Sequence, residues 1–391
     1  MLSKRVSKLK PSATLTITAR AKELRSKGVD VIGFGAGEPD LDTPEFVKEA
    51  CIKALRDGKT KYAPSAGLPE LREAIAEKLL KENGVEYRPS EIVVSSGSKM
   101  ILFLILTAIL NEGDEVLIPS PYWVTYPEQV NILGGVPVEV PLKEEEGFVL
   151  TADHIRDRIT ERTKVLILNS PNNPTGAVYP EDELRRIAEI CVERGIFIIS
   201  DECYEKITYE GSSVSIASIS EEVRDITFTV NSFSKTFSMT GWRIGYVACP
   251  ERYAKVIASL NSQTVSNATT FAQYGALEAL KNPKGDEFIR SMVSEFKRRR
   301  DRAFDLLSSI PNVSVVKPKG AFYIFPNFSF YSKEVGGDIR LAEILLDEGK
   351  VACVPGSAFG AEGYMRISYA LPLDRIEEGI NRIRTTLERL S

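Results

Sequence analysis

Short apolar runs punctuate the first two-thirds of the chain, at residues 92–94, 115–118, 165–168, 196–199, 226–230 and 244–248. Between several of them lie stretches of helical length with apolar residues on one side. Residues 181–194 are the clearest case. There Leu184, Ile187, Ile190 and Cys191 share one helical face. Short strands of buried type alternating with helices predict a mostly parallel sheet covered on both sides, an α/β fold. Upstream, residues 1–20 read as a basic, irregular arm containing Pro11, and residues 29–37 as a short strand running into a glycine turn. Thr43-Pro44-Glu45 reads as a helix start with Thr43 as its cap, Gly58 as its stop, and a second helix over 69–83.

The pattern changes near residue 285. A long helix over 287–309 carries Lys297-Arg298-Arg299-Arg300, read as a solvated face because acidic residues flank it. A segment at 321–325, a helix near 339–348, a strand around 364–369 and a closing helix over 374–390 predict a smaller α+β unit. The expected organisation is an arm with part of the small domain over 1–43, a large domain over 44–286 and a small C-terminal domain over 287–391.

Charge and composition narrow the chemistry. The 391 residues hold 50 basic and 54 acidic side chains, a formal charge of -4, with no large single-sign block. This argues against nucleic acid as the main partner. The five cysteines are widely spaced with no CxxC pair. That suits a reducing compartment better than a disulfide framework or a zinc site. Cys51, Cys191 and Cys249 lie in apolar stretches that read as core. The only histidine, His154, reads as an exposed residue at a helix start. Catalysis would then fall to lysine, carboxylate, tyrosine or a bound cofactor. The first residues lack the apolar core of a secretory leader, so none is expected. The apolar run over 100–110 is shorter than the roughly 20 residues a bilayer requires and reads as a buried helix.

In open parallel sheets, ligands bind beyond the carboxyl ends of the strands. The residues just past each apolar run are therefore informative. The first run leads to Ser95-Ser96-Gly97-Ser98-Lys99, small residues at a helix start that can cradle a phosphate. The second leads to Tyr122-Trp123, the third to Asn172-Asn173-Pro174-Thr175-Gly176, the fourth to Asp201-Glu202-Cys203-Tyr204, and the fifth to Ser232-Phe233-Ser234-Lys235. Each has a plain alternative: a helix cap, a core aromatic, a turn, a surface lysine. Their shared place at strand ends favours one pocket with a phosphate cradle, an aromatic plate, an amide, an acid, a phenol and an amine. Such a set suits an aromatic, phosphorylated cofactor that condenses with amines. No GxxxxGK[ST] is present, and Gly33-Phe34-Gly35-Ala36-Gly37 lacks the GxGxxG spacing of a dinucleotide site.

These motifs, with Ala36-Gly37-Glu38-Pro39-Asp40, Lys61-Tyr62-Ala63-Pro64, Gly241-Trp242-Arg243-Ile244-Gly245 and Met365-Arg366-Ile367-Ser368, resemble the fold-type I, class I pyridoxal-phosphate aminotransferases nearly end to end. The likeness is greatest to the bacterial aspartate aminotransferases of the thermophile-type subgroup. The resemblance implies a large domain with a seven-stranded, mostly parallel sheet and pyridoxal 5′-phosphate as cofactor. It further implies a homodimer with shared sites in the cytoplasm. By resemblance, Lys235 would hold the cofactor as a Schiff base and then shuttle a proton. Asp201 would pair with the ring nitrogen, Asn173 and Tyr204 with the ring oxygen, and Trp123 would stack on the ring. Gly97, Ser98, Ser232 and Arg243 would meet the phosphate, joined by Tyr62 of the neighbouring subunit. Arg366 would clamp the substrate α-carboxylate, with the Gly37 backbone N–H beside it.

For the substrate side chain, the resemblance points to Lys99 and to hydroxyls of the arm, Ser12 and Thr14, as partners of a distal carboxylate. Aspartate and glutamate are therefore expected, with oxaloacetate and 2-oxoglutarate as acceptors in a ping-pong reaction. Alternatively, Lys99 supports only the cofactor phosphate. Aromatic, prephenate or alanine transamination, or cysteine-conjugate β-elimination, then remain open. A non-enzymatic regulator would need an added DNA-binding segment, which is not expected here.

Overall fold

The computed structural model describes the backbone of residues 13–390 and the side chains of residues 17–390. Among these residues, β1 (Ile32–Gly33) precedes β2 (Ile92–Ser95), β3 (Glu115–Ser120), β4 (Val136–Pro141), β5 (Thr163–Asn169), β6 (Phe197–Asp201), β7 (Thr227–Ser232) and β8 (Gly245–Ala248). Later come β9 (Tyr323–Ile324), β10 (Val351–Ala352), β11 (Val354–Pro355) and β12 (Met365–Ser368). Strands β2 to β8 form one seven-stranded sheet in the order β2-β8-β7-β6-β5-β3-β4. All its pairings are parallel except those of β8, which runs against both neighbours. The six apolar runs each mark a strand of this sheet.

The seventh strand, β4, was not legible. Its sequence, Val-Pro-Val-Glu-Val-Pro, is broken by residues that disfavour a sheet, and it sits at the edge, partly exposed. An edge tolerates proline because one side of the strand has no partner that needs its N–H.

Register brings the chemistry to one rim. Asn169 of β5 lies beside Asp201 of β6, and Asp201 beside Val230 of β7. Ser232 of β7 and Ser95 of β2 both face Gly245 of β8. Because β8 is antiparallel, its first residue stands at the same rim as the last residues of its neighbours. Helices cover both faces. The helix Ser98–Ile109 buries Ile101, Leu102, Leu104, Ile105 and Leu106 against the sheet. The helix Glu181–Arg194 buries Leu184, Ile187, Ile190 and Cys191, the face its spacing predicts.

The later part packs on a second cluster. It joins Phe296, Phe322, Tyr323, Leu341, Ile376 and Ile380 to Ile32 and Phe34. Parallel pairing of β1 with β10 ties the early strand into this region.

Several local expectations are corrected. Residues 13–20 are helical, within Ala13–Ser26. Their β-branched, weakly amphipathic sequence gives little sign of it. Thr43 does not cap the helix Glu45–Arg56, whose cap position is Pro44. Its hydroxyl instead donates to the Ser238 carbonyl and accepts from Trp242 Nε1. The basic run is only partly a solvated face. Arg299 and Arg300 are 6% and 1% exposed. Arg299 meets Asp40 and Glu295 at 2.8 Å, while Arg300 donates to the Pro318 carbonyl at 2.6 Å and lies over Tyr209. His154 is half-buried, with Nε2 3.1 Å from Glu146. Cys51 is only partly buried, whereas Cys203 and Cys353 join the core, and all five are free thiols. No helix among the described residues is long and apolar enough to cross a membrane.

Candidate active site

A cavity of about 320 Å³ opens at the rim where β5, β6 and β7 end. Its walls include Gly37, Ser98, Lys99, Trp123, Asn173, Asp201, Tyr204, Ser232, Lys235, Arg243 and Arg366. Of the expected site residues, these eleven are brought together. Gly97 lies directly behind. Tyr62 is 89% exposed and is not part of the wall. Ser12 and the side chain of Thr14 lie outside the described residues.

Lys235 sits on the four-residue helix Phe233–Thr236, which begins as β7 ends. Its amine donates to the Gly37 carbonyl. The side chain keeps some surface toward the cavity, yet the amine is enclosed closely enough that desolvation pulls its pKa down to about 8. Cys203 and Glu38 oppose the shift, while Arg366 and Arg243 add to it. An amine in this condition gives up its proton far more readily than an ordinary lysine, and its neutral form can attack a carbonyl or accept a proton.

Asp201 is the last residue of β6 and is 4% exposed. Burial raises its pKa, against hydrogen bonds from the Tyr126 hydroxyl at 2.7 Å and the Cys203 N–H at 3.2 Å. A carboxylate held this way is prepared for a cationic partner, which would restore its charge. Asn169 supports the arrangement: its amide donates to the Asp201 carbonyl and accepts from the Asn173 N–H.

Arg366, on β12 and 4% exposed, donates to Asn173 Oδ1 at 3.1 Å and to the Gly35 carbonyl at 2.8 Å. Its plane lies over the rings of Tyr323 and Phe359, 4.6 and 5.1 Å from their centres. Its Nε is buried without a hydrogen-bond partner. A guanidinium with no carboxylate partner among the described residues, fixed between rings, is placed to receive an anion from the cavity. Tyr204 and Tyr323 share a hydrogen bond of 2.9 Å, and burial raises the pKa of both.

The other end of the cavity is a cationic turn. Gly97 precedes the helix Ser98–Ile109 with φ 80°, and a Cβ there would stand 2.4 Å from Arg243 Nη2. Only glycine allows both the backbone shape and the approach of the arginine. Arg243 itself has φ 58°, unusual for a side-chain-bearing residue. Lys99 stands at the open side with its amine 4.9 Å from the Trp123 ring centre. Partial burial, then the charge of Arg243, lowers the pKa of Lys99. Helix-start N–H groups with two nearby cations form an anion site.

Tyr126, Asn169, Cys203, Thr240 and Tyr323 also line the cavity and were not singled out from the sequence. Tyr126 lies three residues after Trp123 and Asn169 at a strand end, so position gave some signal for these two. Nothing local marks Tyr323, which arrives from β9.

A family model described as "Aminotransferase class I and II" matches residues 29–383. A protein of Aquifex aeolicus named "Probable aspartate/prephenate aminotransferase" is 71% identical over 390 residues, covering 100% of this chain and 99% of that protein. The Bacillus subtilis "Aspartate aminotransferase" is 48% identical over 393 residues, with 100% of both chains covered. Among solved structures, the Thermus thermophilus aspartate aminotransferase with maleate superposes with a TM-score of 0.95 at 46% identity, covering 99% of each chain.

Proposed function

This chain belongs to the class I and II aminotransferase family, and we propose that it moves the amino group of aspartate or glutamate to oxaloacetate or 2-oxoglutarate by a ping-pong route. The observation that carries the reading is the convergence of Lys235, Asp201, Asn173 and Arg366 on one cavity. Enzymes of this family use pyridoxal 5′-phosphate. The residues present fit it: a buried amine of lowered pKa, a buried acid, an indole at the wall and a glycine turn that a Cβ would fill.

Lys235 would hold the cofactor, Asp201 its ring nitrogen, Tyr204 and Asn173 its ring oxygen, and Trp123 its ring face. Ser98, Ser232, Arg243 and the Gly97 turn would hold its phosphate. When bound, the cofactor supplies an electron sink for the pair released at the substrate Cα. Lys235 Nζ then accepts the Cα proton and returns it at the next stage, a task suited to a pKa near working pH. Arg366 orients the substrate through its α-carboxylate, and Gly37 closes the same side. The walls from Tyr323 and Phe359 exclude water around the guanidinium.

For the distal carboxylate we assign Lys99, with Ser12 and Thr14 of the arm. The position of Lys99 at the open side of the cavity supports this. The influence of Arg243 on Lys99 favours a second reading, in which Lys99 serves the phosphate. Relatives named aspartate/prephenate aminotransferase make prephenate a further candidate acceptor. The test is a panel of aspartate, phenylalanine and alanine with Lys99→Ala. A loss of kcat/KM of about tenfold to a hundredfold for aspartate alone supports the acidic-substrate role. An equal loss for all three assigns Lys99 to the cofactor.

The exposure of Tyr62 supports a homodimer in which each Tyr62 serves the partner's phosphate. The pairing of β1 with β10 supports the division into a large domain over 44–286 and a small one over 287–391 joined by the early segment. Five free thiols suit work in the cytoplasm.

A further inference from the structure

A second cavity, also of about 320 Å³, lies behind the first. Ser232 lines both. On its far side are Phe233, Thr236 and Phe237, from the turn that carries Lys235, and Tyr246 of β8. Across from them, Leu280 and Ile289 come from the two helices that meet at Asn282–Pro283.

Two hydroxyls of buried residues open onto this cavity. Thr236 is 7% and Tyr246 4% exposed. Both line the cavity, and neither hydroxyl makes a hydrogen bond to the protein among the described residues. The polar cluster at one end is satisfied. Lys78, Asn83 and Asn231 all donate to Glu205. Neither hydroxyl is sealed from solvent, so the two stand open to an occupant with acceptor oxygen. Between them run apolar surfaces. The rings of Phe233 and Phe237 are stacked 6.2 Å apart, with Leu280 and Ile289 completing the wall. At the edge, exposed Lys81 and Lys281 have no acidic partner among the described residues. Four lysines line the cavity against Glu82, Glu205 and Asp286. Glu82 and Glu205 are engaged by Lys206 and Lys78. Asp286 alone offsets the two free lysines.

We propose that this second cavity binds a small aromatic carboxylate carrying an oxygen on the far side of its ring. The carboxylate meets Lys81 and Lys281, the ring lies among Phe233, Phe237 and Ile289, and the ring oxygen meets Thr236 and Tyr246. The volume falls within the range of small-molecule sites, roughly 300–1,000 Å³. Water could satisfy the hydroxyls, but it would leave the apolar wall and the free lysines without a role.

The test is calorimetric titration of the cofactor-loaded enzyme with 4-hydroxyphenylacetate, compared with phenylacetate. Three variants separate this cavity from the substrate site. Ile289→Trp fills it, Tyr246→Phe removes one hydroxyl, and Lys281→Glu reverses an exposed charge without disturbing packing. The proposal expects saturable binding that is lost in Ile289→Trp. Binding should be about tenfold weaker in Tyr246→Phe and in Lys281→Glu, with the hydroxylated probe preferred. It also expects kcat/KM for aspartate in Ile289→Trp to stay within about twofold of wild type. Equal affinity in wild type, Ile289→Trp and Lys281→Glu would place the probe elsewhere and overturn the proposal. So would the absence of saturable heat up to about 10 mM, which means that the cavity holds water only.

Discussion

Two lysines lie on opposite sides of the end of β7, and they meet burial in different ways. The Lys78 side chain is 9% exposed and faces the 8% exposed carboxylate of Glu205. Burial pushes the Glu205 pKa up, but Lys78, Asn83 and Lys206 outweigh it and hold it below the ordinary carboxylate value. Lys235 has no carboxylate within ion-pairing distance among the described residues. Its hydrogen bond goes to the Gly37 carbonyl, and its pKa falls to about 8. A paired lysine is committed to holding the fold. An unpaired one facing a cavity retains a reactive electron pair. The same contrast separates two arginines: Arg299 is engaged by Asp40 and Glu295, while Arg366 lies between rings with no carboxylate partner among the described residues.

The sharpest way to break the comparison is to remove each lysine. Lys235→Ala should lower kcat/KM by about 10³-fold or more and abolish the visible band of bound cofactor, with folding intact. Spectra and steady-state rates check this, and a coloured, active variant would refute the assignment. Lys78→Met should act on stability instead. It leaves Glu205 buried without its cation, a change that costs about 3–5 kcal/mol in comparable buried pairs. Denaturant titration reads the loss. Adding Glu205→Leu should recover much of it. If Lys78→Met is as stable as wild type, the pair contributes specificity of shape and little else.

Much of this contrast was legible from the sequence on one side of the sheet only. Strand ends of a parallel sheet gather at one rim, so Asn173, Asp201, Ser232 and Lys235 could be collected from the residues just past each apolar run. Tyr323 could not, and for Tyr126 position hinted at the site but not at its bond to Asp201, because each reaches its partner by packing between elements distant in the chain. Arg299 and Arg300 looked like their exposed neighbour Arg298. Only the placement of the helix Lys284–Ser308 decides which of these cations turns inward. The edge strand β4 and the helix at 13–26 were hidden by prolines and by β-branched residues. The same limit applies to the back cavity: its walls come from five separate segments, and no local pattern announces a hydroxyl that will lack a partner.

The smallest effect is the most specific to Lys235, and it appears in the protein stripped of cofactor. Below pH 8 both the folded and the unfolded chain carry the ammonium, so folding bears the full cost of enclosing it. Between about 8 and the ordinary lysine value of 10.5, the folded protein has released the proton and the unfolded chain has kept it. The unfolded state then binds more protons, so stability rises with pH across this window. Replacing Lys235 by methionine removes the penalty at the outset. The cofactor-free Lys235→Met protein should therefore exceed the cofactor-free wild type by up to about 3 kcal/mol near pH 7. The advantage should shrink toward zero by about pH 10.5. Paired denaturant titrations at several pH values measure the difference, in which groups common to both proteins largely cancel. An advantage that stays constant with pH would mean that methionine merely packs better. The amine of Lys235 would then not be held away from its ordinary protonation by its surroundings.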